Sequence, residues 1–146
     1  MSFSVVLDGK IIEQNGEPVI RGGFQLPGCK EEFALPVSYW SRYDYVGNWK
    51  RMVAHGLGSQ ASTGIVTSMR DPENMNFIFL WAFYFGGENV YIQNKILFMD
   101  EVAGVFDPSR MSSYIGERVT HNEDGVRMSE WVVNLSDVLS GFEALR

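Results

Sequence analysis

The chain has 146 residues and a formal net charge of −6, from 18 acidic and 12 basic side chains. That balance argues against ordinary nucleic-acid binding, which needs clustered Lys and Arg against phosphates; it suits a basic partner steered in at long range, and equally suits plain solubility. The length fits one domain, residues 1–146, and a globule of that size can bury roughly 68–70% of its unfolded surface without metal or disulfide staples.

The first thirty residues alternate weakly and carry the pairs Asp8-Gly9, Asn15-Gly16 and Gly22-Gly23, which predicts a meander of short strands with a tight turn at each pair. Glu32 to Val37 is a further extended segment, and Pro36 within it fits a strand end or edge. In YWSRYDYVGNW, residues 39–49, five of eleven residues are aromatic. From Ser41 onward Tyr45, Trp49, Met52, Val53 and Leu57 follow helical spacing, predicting an amphipathic helix over about 42–57. Ser41 and Asp44 stand in capping-box positions, and Gly56 and Gly58 offer a left-handed stop.

Ser62 to Met69 is expected to be a strand, followed by a turn at Asp71–Asn74. Residues 76–85 are apolar on both faces, with Phe77, Phe79, Trp81, Phe83 and Phe85 alternating with Ile78, Leu80, Ala82 and Tyr84. That pattern predicts a central strand covered on both sides, joined through Gly86-Gly87 to a second strand over 89–99. Residues 112–119 and 126–133 are expected to form a hairpin about His121–Gly125, with Ser136 capping a last helix over 137–144. The fold class is therefore α+β: antiparallel sheet, one long helix packed on it, and a short C-terminal helix.

Candidate chemistry is sparse. His55 and His121 are far apart in sequence with no local partner, and one cysteine with two scattered histidines cannot supply the four N/S ligands of a structural zinc. Neither a phosphate-binding glycine loop nor a GxSxG elbow occurs. No catalytic residue, metal or cofactor is expected, so the chain is taken for a binder rather than an enzyme. The lone Cys29 fits a reducing compartment. The start lacks a basic segment followed by an apolar run, and the most hydrophobic stretch, 75–85, is too short to span a bilayer, so cytoplasmic residence without membrane contact is expected.

Three blocks carry a resemblance: ALPVSYWSRYDYVGNWKRMVAHGL (34–57), DPENMNFIFLWAFYFGGENVYIQNKILFMDE (71–101) and YIGERVTHNEDGVRMSEWVVNL (114–135). Together they resemble the immunity proteins of bacterial contact-dependent growth inhibition systems, in the group related to the Enterobacter cloacae immunity protein. The first thirty residues carry least of the likeness. The resemblance implies an α+β fold with antiparallel sheets like those of the Whirly single-stranded-DNA-binding proteins, without DNA binding. It also implies a non-enzymatic cytoplasmic protein that binds the toxic C-terminal domain of a cognate effector, often a nuclease, and covers its active site or substrate surface. A basic nuclease would be steered to acidic groups that the core does not need. The candidate contacts are Tyr43 and Asp44 on the polar side of the helix, Glu101, Asp107, and Glu117, Glu123 and Asp124 near the last turn. The rival reading is a Whirly-like module binding single-stranded nucleic acid or a small ligand by aromatic stacking. It would need Tyr39, Trp40 or Tyr43 exposed beside the small basic group Arg42, Lys50 and Arg51.

Overall fold

A computed structural model describes residues 2–146, with backbone alone at 59 and 60. The first sheet is built around one long strand. β1 (Ser4–Leu7), β2 (Ile12–Gln14), β3 (Glu17–Leu26) and β4 (Cys29–Pro36) are antiparallel, with β4 along one side of β3 and β1 and β2 sharing the other. The turn expected at Gly22-Gly23 does not form: both glycines lie mid-strand, opposite Leu7 and Val6 of β1 and Phe33 and Glu32 of β4. A Cβ on Gly22 would stand 2.6 Å from the Val6 carbonyl oxygen, and one on Gly23 2.8 Å from that of Glu31. Close strand approach, not a turn, is what these two glycines allow. The chain reverses at Pro27-Gly28 instead, where Gly28 takes φ +75°, so the strand expected at 32–37 starts earlier, at Cys29.

α1 (Arg42–His55) begins as its spacing predicts. The Ser41 hydroxyl accepts from the Asp44 amide while the Asp44 carboxylate accepts from the Ser41 amide at 2.9 Å, a reciprocal cap. Tyr45, Trp49, Met52 and Val53 are buried as expected, but Leu57 is exposed. The helix does not stop at Gly56, which is right-handed at φ −63°; it widens into a π turn over Gly56–Gln60, carrying Leu57 off the apolar stripe. The left-handed stop falls at Ala61 (φ 59°). Gly56 is needed for packing, because a Cβ there would meet the Phe85 ring and Thr63.

The second sheet runs in the order β5 (Ser62–Val66), β6 (Phe77–Gly86), β7 (Asn89–Phe98), β8 (Trp131–Asn134), all antiparallel. β5 is shorter than the expected 62–69, although the Thr67 amide still donates to the Phe79 carbonyl and the Phe79 amide to Ser68 Oγ. Phe24 joins the two sheets edge-on, its ring 5.3 Å from Trp81 and 5.9 Å from Phe83. The expected hairpin over 112–133 is absent. Residues 112–115 form a short helix, α2 (Ser112–Ile115), because Met111 and Ile115 are both buried, one turn apart, against the bare backbone of Gly64. The turn at 121–125 does form, with Asn122 Oδ1 accepting from the Asp124 and Val126 amides. Its arms form a single bridge, between the exposed His121 and Arg127. α3 (Leu135–Glu143) follows β8 directly, placing Asn134 rather than Ser136 at its cap position. It buries Val138 and Phe142. The class is α+β: two antiparallel sheets, one long helix and a short C-terminal helix.

Candidate functional site

Buried polar chemistry in this chain holds the fold. The Tyr45 hydroxyl donates to the Pro36 carbonyl at 2.7 Å and accepts from the Met69 amide at 2.9 Å, clasping β4 and the end of the β5 segment to α1. Burial pushes its phenol far above the ordinary range. Arg70 forks onto Glu17, with Nη2 2.6 Å from Oε1, and that hydrogen bond holds the Glu17 carboxyl below its usual range. Among the described residues no group of three His, Cys, Asp or Glu is placed to hold a metal. No helix among them is long and apolar enough to cross a membrane.

Among the ion-paired carboxylates of the described residues Glu130 is the most enclosed, its side chain 6% exposed. It accepts from Arg118 Nε at 2.7 Å and Gln93 Nε2 at 2.8 Å, and the Arg118 guanidinium lies 3.9 Å above the Tyr91 ring. The Arg118 hydrogen bond lowers the Glu130 carboxyl more than burial raises it, and Gln93 lowers it further. A carboxyl depressed in the folded state stabilises the fold above its unfolded value and loses that contribution as pH falls through the depressed one. Stability is therefore expected to be level above the ordinary glutamate value of 4.5 and to fall below it. Glu130→Gln should flatten this acid limb in urea midpoints measured against pH; an unchanged limb would show that other carboxylates carry it.

The sequence-expected contact residues are exposed in unequal ways. Tyr43 is 86% exposed on the outer side of α1. The Asp44 carboxylate is held by Ser41, and that of Asp107 by the Ser109 amide (2.9 Å) and hydroxyl (2.7 Å), which keeps the Asp107 carboxyl low. Glu101 ends a 3₁₀ turn, Met99–Glu101, directly after β7. Glu117 lies beside Phe85 and Gly86, at the closed end of the β6–β7 hairpin, while Glu123 and Asp124 are exposed in the 121–125 turn. The fold does not gather the seven: Glu101 and Glu117 stand at opposite ends of a ten-residue strand pair, roughly 30 Å apart at 3.3 Å per residue.

An apolar surface not singled out in the sequence does gather. Phe77 pairs with Phe98 and Phe79 with Ile96 across β6 and β7, and all four are 39–50% exposed. The Phe77 ring lies 5.3 Å from Phe79 and 6.2 Å from Phe98. The expectation that β6 is covered on both sides therefore fails for its first half. Trp81 and Phe83, farther along the same face, are buried and pack against Phe24 of the first sheet, whereas Phe79 stays 44% exposed. Phe79 and Trp81 floor a cleft of about 380 Å³ between the sheets, with Glu17, Glu32 and Arg70 on its walls. The only sequence signal for this surface was the hairpin register, which places Phe77, Phe79, Ile96 and Phe98 on one face.

Residues 35–141 match the family model of the CdiI N-terminal domain. The chain belongs to the CdiI family. It is 36% identical over 143 residues to the immunity protein CdiI of Enterobacter cloacae subsp. cloacae, covering 98% of each chain. Its structure superposes with a TM-score of 0.90 on a chain of the CdiA-CT/CdiI toxin and immunity complex from Enterobacter cloacae, at 36% identity, covering 98% of this chain and 97% of that one. The likeness to CdiI thus reaches well into the first sheet, beyond the three blocks that carried it in the sequence. CdiI family membership places the chain among inhibitors rather than enzymes.

Proposed function

We propose that this chain is the cytoplasmic immunity protein of a contact-dependent growth inhibition system. Acting as one folded domain over 1–146, it binds the toxic C-terminal domain of its cognate effector and occludes that domain's active site or substrate-binding surface. The toxin is a basic nuclease, and the chain's net charge of −6 steers it in. The observation that carries this reading is the full-length superposition on a chain of a toxin and immunity complex. Contacts come from the exposed side chains Tyr43, Glu101, Glu117, Glu123 and Asp124, with Asp44 and Asp107 contributing carboxylate edges beyond their caps. No cofactor and no nucleic acid take part. A base-stacking role finds less support: Tyr39 and Tyr43 are exposed, but of the cations beside them Arg42 donates to the carbonyls of Asp8 and Arg146 and Lys50 to that of Leu145.

The test is co-expression. A bacterium producing the neighbouring effector's C-terminal domain should grow only when this chain is also made. Continued killing in the presence of abundant soluble chain would overturn the reading.

A further inference from the structure

We propose that the toxin domain docks on the overhanging end of β6 and β7, seating apolar side chains on Phe77, Phe79, Ile96 and Phe98 and cations against Glu73, Asp100 and Glu101. This rests on the immunity reading above and narrows it to one surface.

The four apolar residues form two directly opposed cross-strand pairs. Behind them Ile78 and Leu80 are buried, which fixes the strands that present them. They are also a continuation of a core-forming face, since Trp81 and Phe83 on the same side pack against Phe24. A contiguous exposed patch of this kind marks an interaction site where scattered single apolar residues would not. The strand edge beside it carries no further strand among the described residues, and Met128, Ser129 and Trp131 border it. β8 pairs only with Asn89–Ile92, and among the described residues no strand pairs with the far side of Gln93–Phe98. A partner therefore meets large, rigid side chains that lose little freedom on binding.

Charge selects the occupant. The segments entering β6 and leaving β7 are tied together by the Met99 amide donating to the Asn76 carbonyl at 2.8 Å. They bring Glu73, Asp100 and Glu101 to this end of the hairpin, all exposed and none in an ion pair among the described residues. Arg70, the nearest cation in sequence before β6, is taken by Glu17. Lys95 lies on β7, but strand alternation sends it to the other face from Ile96. Two copies of this chain meeting through the patch would bring these carboxylates face to face with those of the other copy. A partner with an apolar centre and a cationic rim fits instead, and a nuclease that grips a polyanion carries such a rim.

The experiment measures binding of the full chain to the purified toxin domain by calorimetry, and its association rate by stopped flow at low and high salt. It compares wild type, the double variant Phe79→Ser/Ile96→Ser, the double variant Asp100→Lys/Glu101→Lys, and a distant variant, Glu88→Lys, at the closed end of the hairpin. Thermal unfolding of each checks that it folds. The patch variant should bind on the order of 100-fold more weakly. The Asp100/Glu101 variant should associate more slowly and lose most of its salt dependence, and the distant variant should bind as wild type does. If wild type binds but the patch variant binds equally well, or if the distant variant alone loses binding, the docking surface is elsewhere and this inference falls while the immunity reading stands. If wild type itself does not bind, the immunity reading fails. If the free chain is a dimer that the Phe79→Ser/Ile96→Ser change dissociates, the patch belongs to self-association and the inference is overturned.

Discussion

Phe24→Ala is expected to remove about 3–5 kcal/mol of folding stability, measured as a shift in guanidinium midpoint at unchanged slope. Phe24 is fully buried in β3, and its ring lies within 6.4 Å of those of Phe3, Phe33, Trp81, Phe83 and Phe142. These neighbours come from both sheets and from α3, so no single element can shift to fill the space. The cavity term is therefore near its maximum, because relaxation is what usually reduces it. Phe24→Leu keeps most of the volume and should cost well under half as much. A loss of only about 1 kcal/mol for the alanine variant, the size of an ordinary substitution, would mean that the two sheets are not joined through this ring.

Trp49→Ala should be comparably severe, again about 3–5 kcal/mol. The indole is fully buried, 6.0 Å from the Phe33 ring and 6.4 Å from that of Phe142, and its Nε1–H donates to the Val66 carbonyl at 2.8 Å. It thereby ties α1 to the last residue of β5. Trp49→Phe separates the two contributions, because it keeps an aromatic ring while withdrawing the donor from a buried carbonyl, at a cost of about 1–3 kcal/mol. Equal losses for the alanine and phenylalanine variants would show that the hydrogen bond, not the ring, carries the effect.

What the sequence showed in advance were the features set by neighbours within a few residues. Ser41 and Asp44 form their cap because both halves of it lie within one turn. The β6–β7 hairpin forms for the same local reason, turning through Gly87 and Glu88, one residue later than the Gly86-Gly87 pair expected. Gly22-Gly23 was illegible because a glycine pair serves a turn and a crowded strand equally well, and the choice depends on β1 and β4 approaching from both sides. The region 112–133 resists local reading because its structure depends on Met111 and Ile115 finding the bare backbone of Gly64, roughly fifty positions earlier in the chain. The candidate surface follows the same rule. Exposed acids such as Glu101 and Glu123 are recognisable by residue type, whereas Phe77 and Phe79 look like core until the assembled sheets are seen to leave them partly exposed. How far one sheet covers another is a property of the assembled layers, and no short stretch of sequence encodes it.

An activity titration tests most directly whether this chain silences a toxin by holding it. The purified C-terminal toxin domain of the adjacent effector is assayed on its substrate against increasing amounts of the purified chain. Activity should fall linearly to nothing at a fixed molar ratio, as stoichiometric inhibition requires, and the Phe79→Ser/Ile96→Ser variant should need far more protein to do the same. Full toxin activity at saturating wild-type chain would contradict the account.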